Sequence, residues 1–191
     1  VFNPRYTTLF ERRTTCIPTF GIRIGPKLEE SNINLDTIAT YSVPEVPPWT
    51  ITRPKVIFDI NTSKKSSTDP SLFRSKFVEI KSEYRDFIPI YTDGSRDGDT
   101  VAAATVTPVG TIQSRLPDMS SIFSAETKAI LLALDSIQTS DWPKTIIFSD
   151  SLSCLQAIHN LKFENPMILQ VLETHHALSE EDKEVVLCWL P

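Results

Sequence analysis

The sequence predicts an α/β fold over residues 86–191, in which a mixed five-stranded sheet is flanked by helices. Short runs rich in β-branched and aromatic residues, bounded by turn residues, alternate there with segments of helical periodicity. Their order is β-β-β-α-β-α-α-β. In this order the first, fourth and fifth strands can run parallel, with helices covering both faces of the sheet.

The first three strands form a predicted meander, whose first turn is Asp97-Gly98-Asp99. The strand after the first helix is strongly apolar, and the helix that follows it begins after a serine. The predicted strands are Ile88–Thr92, Val101–Thr107, Gly110–Leu116, Thr145–Ser149 and Glu184–Leu190, and the predicted helices are Ser121–Ile137, Leu152–His159 and Pro166–Leu178.

Residues 1–85 are predicted to be a connecting segment that is partly helical. Helices are expected at Pro26–Ala39 and at Ser71–Arg85, the second of which is amphipathic. Val43–Trp49 cannot be helical, because successive prolines remove backbone donors and restrict their neighbours. Ser63–Pro70 is predicted to be a polar linker.

The distribution of charge supports a boundary near residue 88. Residues 1–88 carry 13 basic and 10 acidic side chains, whereas residues 89–191 carry 6 basic and 14 acidic ones, within a net charge of −5. Eight of the 14 prolines also lie in the first part. The N-terminal part is therefore the more basic and the less regularly patterned of the two.

Composition excludes several classes of protein. There is no apolar run of about 18 residues and no signal peptide, so we expect a soluble intracellular protein without membrane contact, in the cytoplasm or the nucleus. The histidine pair His175-His176 shows no metal-ligand spacing and is predicted at the surface or at a helix end. An odd number of widely spaced cysteines favours reduced, buried thiols over disulfides or a zinc site; they are Cys16, Cys154 and Cys188.

Three acidic residues stand where an α/β domain directs side chains outward from its core. Asp93 follows the first predicted strand, Asp150 follows the fourth, and Glu126 opens the helix between them. Carboxyl ends of parallel strands meet at one edge of a sheet, where sites of such folds are found. Converging carboxylates at this edge indicate a divalent metal site.

Glu126 carries the strongest signal of the three. Helical spacing aligns it with Ile130, Ala133 and Ile137, the stripe expected to face the sheet. A charge on a buried face costs several kcal/mol unless a partner or a metal compensates it. The alternative is a first-turn glutamate stabilised by the helix dipole or by capping at Ser124.

The two aspartates also have alternative interpretations. Asp93-Gly94 is a common hairpin sequence, and Asp150 could cap the following helix, although Ser151 could do so instead. Residues 93–99 also copy the first half of a calcium-binding EF-hand loop. The twelfth position of that loop is Ala104 where a bidentate glutamate is needed, which disfavours calcium.

Three motifs, in order, resemble type I ribonuclease H, most closely the version at the C-terminal end of non-LTR retrotransposon polyproteins. The motifs are Ile-Tyr-Thr-Asp93-Gly-Ser, Ser-Ala-Glu126-Thr-Lys-Ala-Ile and Phe-Ser-Asp150-Ser-Leu-Ser-Cys-Leu-Gln-Ala-Ile. The resemblance covers residues 86–191. More loosely, residues 1–85 resemble the segment that joins reverse transcriptase to ribonuclease H in such elements.

The resemblance implies a ribonuclease H-like fold whose second strand is antiparallel. It implies endonucleolytic hydrolysis of the RNA strand of an RNA–DNA hybrid, with two Mg²⁺ ions, or Mn²⁺ in their place. Asp93 would bridge both ions, while Glu126 and Asp150 would each support one, and Glu126 would sense the ribose 2′-hydroxyl. Gly94, Ser95 and Ser151 would contact nucleic acid. The expected partners are the hybrid and the reverse transcriptase portion of the same polyprotein.

The chain also departs from the family pattern. That pattern continues beyond Leu187–Pro191 to a Gly-His loop and to a fourth aspartate on a final helix, so we expect a fold lacking the C-terminal helix and a fragment that hydrolyses poorly. The alternative function is a non-catalytic nucleic-acid-binding or connecting remnant. A proofreading exonuclease would need glutamate at Ser95, and an integrase would order its acids Asp, Asp, Glu.

Overall fold

The computed structural model describes residues 24–27, 30–31, 46–59 and 70–191. The chain divides into two compact units, Val1–Ser42 and Val43–Pro191. In the first unit residues 24–27 are helical, and most of the predicted helix Pro26–Ala39 lies outside the described residues, as does Cys16. The predicted linker Ser63–Pro70 likewise lies outside them, apart from its last residue.

The second unit contains the sheet, and it begins at Val43, whereas the sequence placed the boundary of the α/β domain at residue 86. The assignment of residues 1–85 as a connecting segment stays a prediction. The elements described in the second unit are β1 (Lys55–Ile57), α1 (Pro70–Glu83), β2 (Ile88–Asp97), β3 (Thr100–Thr107), β4 (Gly110–Leu116), α2 (Ile122–Gln138), β5 (Lys144–Ser149), α3 (Leu152–His159), α4 (Pro166–Glu180) and β6 (Glu184–Trp189).

The sheet confirms the predicted fold class and strand directions. Its spatial order is β1-β6-β5-β2-β3-β4. Strands β2, β5 and β6 are parallel, as are β6 and β1, while β3 is antiparallel to both β2 and β4. The element order from β2 to β6 is the order that the sequence predicted.

The predicted number of strands was wrong, because the sheet has six strands and not five. The additional strand, β1, comes from the N-terminal segment and pairs in parallel with β6 through Lys55, Val56 and Ile57. Three residues are too few to show a strand periodicity, so β1 could not be predicted from the sequence. Its pairing covers an edge of β6 that would otherwise present unpaired backbone groups.

Helices α2 and α1 cover opposite faces of the sheet. On one face, the hydroxyl of Thr105 in β3 donates to the Ala129 carbonyl of α2 at 2.7 Å. On the other, Phe77 of α1 packs edge-to-face against Phe148 of β5, with ring centroids 5.5 Å apart. Successive side chains of a strand point to opposite faces of the sheet. Phe148 is level with Tyr91, and Thr105 is level with Thr92, the next residue of β2, so Phe148 and Thr105 lie on opposite faces. Helix α1 therefore covers the face of the sheet opposite α2.

Helix α4 buries His175, the first residue of the histidine pair, contrary to the sequence-based expectation. His175 is only 4% exposed, and burial lowers the pKa of its imidazole. The neighbouring His176 places Nδ1 3.0 Å from the hydroxyl of Thr52, in the segment that leads into β1. The pair therefore ties α4 to the N-terminal segment, a role that depends on a tertiary contact between residues 124 positions apart.

Candidate metal centre

The register of the parallel strands brings Asp93 and Asp150 together. Strands β2 and β5 pair in parallel up to Thr92 and Ser149, which are level with each other. Asp93 and Asp150 are the next residues of their chains, so both leave the same edge of the sheet. The expected convergence of these two acids is thus a direct consequence of strand pairing.

Strand β2 is longer than predicted, which corrects the position of Asp93. The strand continues to Asp97, and Asp93 pairs with Ala104 across the antiparallel ladder. Asp93 therefore lies inside a strand and not in a hairpin turn. The turn lies at Gly98-Asp99, where Gly98 has φ 59°. An EF-hand loop is excluded, since its first half is extended strand.

Asp150 is not a helix cap. The residue at the N-cap of α3 is Ser151, and its side chain makes no capping hydrogen bond. Asp150 is exposed and stands between the last residue of β5 and the cap. Helix capping, the alternative interpretation of Asp150, is therefore excluded.

Glu126 stands one turn inside α2, so it does not open the helix as expected. The N-cap is Ser121, whose hydroxyl accepts the backbone N–H of Ser124 at 3.1 Å. Glu126 therefore takes no part in capping the helix, and the residue is only 8% exposed. Among the described residues, Glu126 Oε2 is buried without a hydrogen-bond partner. A buried, unpartnered carboxylate oxygen is costly unless a ligand compensates it.

The three acids form one cluster. Asp93, Glu126 and Asp150 each offer a carboxylate oxygen, and these oxygens lie within 4.8 Å of one another. Burial, and then the charges of Asp150 and Asp93, raise the pKa of Glu126 to about 7, while a backbone hydrogen bond from Gly94 opposes the rise. None of the ion pairs found among the described residues includes these acids.

The donor set fits a hard divalent cation. Three carboxylates supply oxygen ligands only, which Mg²⁺ and Mn²⁺ prefer, and Mg²⁺ commonly keeps several waters beside one or two carboxylates. A cation between the three groups would neutralise their mutual repulsion. It would also provide the partner that Glu126 Oε2 lacks within the described chain.

Gly94 fixes the distance between β2 and α2. A Cβ atom at this position would lie 2.6 Å from the backbone nitrogen of Glu126 and 2.9 Å from its carboxyl carbon. No side chain fits in that space, because the nearest atoms include helix backbone. The glycine therefore lets the strand that carries Asp93 touch the helix turn that carries Glu126.

The other predicted nucleic-acid contacts lie beside the cluster. Ser95 is exposed in β2, two residues beyond Asp93 on the same side of the strand. Ser151 is half-buried, and its hydroxyl lies 3.4 Å from that of Ser153. Their contact with nucleic acid stays a prediction, as does that of Gly94.

Sequence reasoning missed the residues that support the acids. The Thr92 hydroxyl donates to the Phe148 carbonyl at 3.2 Å and ties β2 to β5 just before their acids. The Trp189 indole N–H donates to the Asp150 carbonyl at 3.1 Å. The sequence does not reveal this bond, because an indole at a strand end gives no sign of which carbonyl it reaches.

The thiols of the second unit are structural. Cys154 and Cys188 are buried and free, as predicted. Burial raises the pKa of Cys188 to about 12 and also raises that of Cys154. Cys154 Sγ lies 3.3 Å from the Thr127 hydroxyl, so it links α3 to the turn of α2 that follows Glu126.

Within the described ranges, no helix is long and apolar enough to cross a membrane.

Comparison with known proteins finds one family and a number of solved structures. No curated protein sequence matches the chain. A solved structure described as LC11-RNase H1 in complex with RNA/DNA hybrid is 18% identical and covers 55% of this chain and 85% of its own, with a TM-score of 0.45. A family model described as reverse transcriptase-like matches residues 94–191, which include Glu126 and Asp150. That match spans half of the sequence, and the chain therefore belongs to the reverse transcriptase-like family.

Proposed function

We propose that this protein is a divalent-metal-dependent nuclease that hydrolyses the RNA strand of an RNA–DNA hybrid. The observation that carries the proposal is the convergence of Asp93, Glu126 and Asp150 within 4.8 Å, with one buried oxygen left unpartnered among the described residues. Such a cluster is unfavourable by itself. It is favourable when cations and a substrate phosphate share the site.

Two Mg²⁺ ions, or Mn²⁺ in their place, would activate the attacking water and stabilise the leaving oxygen in an in-line displacement at phosphorus. In the proposed arrangement Asp93 would contribute to both ion positions, as the resemblance to type I ribonuclease H implies. Glu126 and Asp150 each hold one side. The rigid strand under Asp93 and the helix under Glu126 keep these oxygens in place while the phosphodiester binds.

The proposed nuclease selects RNA over DNA. The three motifs that resemble type I ribonuclease H support this selectivity, and membership in the reverse transcriptase-like family agrees with nucleic acid as the substrate class. Glu126 would accept the ribose 2′-hydroxyl, which distinguishes RNA from DNA. Ser95 and Ser151 flank the cluster and would contact the hybrid, together with the backbone of Gly94.

Affinity for the hybrid would need help from outside the acidic part of the chain. Residues 89–191 carry 6 basic against 14 acidic side chains, and phosphate neutralisation supplies much of the affinity for nucleic acid. The cations would supply part of that neutralisation. The more basic residues 1–88 and a reverse transcriptase portion of the same polyprotein would supply the rest.

The test is cleavage of a hybrid with a labelled RNA strand, with protein in excess so that slow cutting is detected. We expect cutting with Mg²⁺ or Mn²⁺ that leaves 5′-phosphate and 3′-hydroxyl ends and spares the DNA strand. Asp93→Asn should reduce the rate at least 100-fold, while Asp97→Asn, an exposed acid of the same strand, should not change it.

The outcomes separate two functions. Undiminished cutting by Asp93→Asn would exclude the proposed metal-bridging role. Metal-dependent binding of the hybrid without any cutting would instead support a non-catalytic nucleic-acid-binding or connecting module. A protein that neither binds nor cuts the hybrid would exclude both the nuclease and the non-catalytic binding function.

A further inference from the structure

Asp150 differs from the other two acids in how its backbone is held. Asp93 belongs to the ladder between β2 and β3, and Glu126 belongs to the hydrogen-bonded interior of α2. Asp150 follows the last residue of β5 and precedes the cap of α3, so neither ladder nor helix fixes its peptide. An exposed residue at such a junction needs another restraint to hold its carboxylate in one place.

A tight turn provides part of this restraint. Ser151 has φ −79° and ψ 86°, close to the inverse γ-turn, and the Leu152 N–H donates to the Asp150 carbonyl at 3.0 Å. The Ser151 N–H also donates to the Ser149 hydroxyl at 3.2 Å. Both bonds are local, so they define the shape of the turn but not its position relative to the rest of the sheet.

Trp189 provides the long-range restraint. It is the last residue of β6, it is 7% exposed, and it is level with Ser149 in the parallel register. Its indole N–H donates at 3.1 Å to the same Asp150 carbonyl that accepts from Leu152. Beside it, the Leu190 N–H donates to the Ser149 carbonyl at 2.9 Å. The end of β6 thus holds both residues from which the turn departs.

We propose that Trp189 is a positioning residue for the metal centre, which acts by fixing the turn that carries Asp150. This inference rests on the proposed function. The carbonyl of Asp150 and its carboxylate leave the same Cα atom, so anchoring the carbonyl to a buried ring restricts where the carboxylate can move. Pre-organised ligands bind a cation more tightly, because less conformational freedom is lost on binding.

The test replaces Trp189 with 3-benzothienylalanine, which has the same shape as tryptophan but sulfur in place of the N–H. Binding of Mn²⁺ is followed by the loss of the free-ion electron paramagnetic resonance signal. We expect about fivefold weaker binding, equivalent to about 1 kcal/mol. Exchange of the Leu152 amide hydrogen should also become faster, because the turn that it closes loses its anchor.

Two controls separate positioning from packing. Trp142→Phe changes a half-buried tryptophan before β5 and should leave Mn²⁺ affinity unchanged. Trp189→Phe should weaken binding at least as much as the isostere does. Wild-type binding with unchanged affinity in the isostere would overturn this inference alone, whereas wild-type protein that binds no Mn²⁺ would overturn it together with the proposed function.

Discussion

Charged side chains are arranged differently at the two edges of the sheet that are formed by the amino ends and by the carboxyl ends of the parallel strands. At the amino edge of the parallel strands, Lys144, Lys183 and Glu184 each have a polar partner. Lys144 and Glu184, the first residues of β5 and β6, pair at 3.5 Å. Lys183 donates to the carbonyls of Ile137, Gln138 and Ser140 at 2.8, 3.1 and 3.0 Å, and so caps the end of α2.

The carboxyl edge gathers charges of one sign. Its three acids lie within 4.8 Å of one another, and the pKa of Glu126 is raised to about 7 by burial and by its two neighbours. The same sheet thus has one edge whose charges stabilise the fold and one edge whose charges oppose it. The difference agrees with the proposed metal site at the carboxyl edge, where no partner for these acids is found among the described residues.

Removing a charge at the amino edge should have the largest effect on stability. Lys183→Met keeps the aliphatic stem but removes the ammonium that donates to three carbonyls at the end of α2, and the side chain is only 15% exposed. We expect a loss of about 2–3 kcal/mol in the free energy of unfolding, measured in urea.

Lys144→Met is the matched control for this substitution. Its ion pair with Glu184 is about half exposed on both sides, so the change should stay within about 0.5 kcal/mol. Equal losses from the two lysines would show that partly exposed pairing, and not helix capping, determines the stability of this edge.

Removing a charge at the carboxyl edge should have the opposite sign. Glu126→Gln relieves the cost of a buried carboxylate and offers an amide donor to Asp93 and Asp150. Without divalent cations, at pH 8, we expect the free energy of unfolding to rise by about 1–2 kcal/mol. Destabilisation would mean that Glu126 has a stabilising structural role, and the contrast between the edges would fail.

The pH dependence should sharpen the same contrast. The pKa of Glu126 lies at about 7 in the folded protein against 4.5 for the ordinary carboxyl group, so folding favours its protonated form. This contribution to stability is fully present below about pH 4.5 and is lost as the pH rises to about 7 and above. The free energy of unfolding of wild type and of Glu126→Gln should be measured at several pH values in buffer that contains a metal chelator. The difference between the two proteins should change between about pH 4.5 and pH 7. A difference that does not vary with pH would contradict it.

Much of this contrast could be predicted from sequence, where the evidence was local. The stripe of Glu126 with Ile130, Ala133 and Ile137 predicted a buried acid, and all three apolar residues are fully buried. The apolar run before Asp150 predicted β5. These signals depend on the period of a helix or a strand, which neighbours in sequence determine.

The rest depended on contacts between distant residues. Strand β1 is defined by its pairing with β6, more than 120 positions away. Gly94 was predicted only as a nucleic-acid contact within a common hairpin sequence, and its role in the close approach of α2 to β2 emerges only from the structure. Likewise, the inward position of His175 and the bond from Trp189 arise only once the sheet is assembled.

The most direct test of the central claim is a Mn²⁺ titration at pH 8, followed by electron paramagnetic resonance, of wild type and Asp93→Asn. We predict that wild-type protein binds the cation and that Asp93→Asn, which removes one of the three clustered charges, binds it at least tenfold more weakly. Equal binding by the two proteins, or none by wild type, would contradict the assignment of the carboxyl edge as a metal centre.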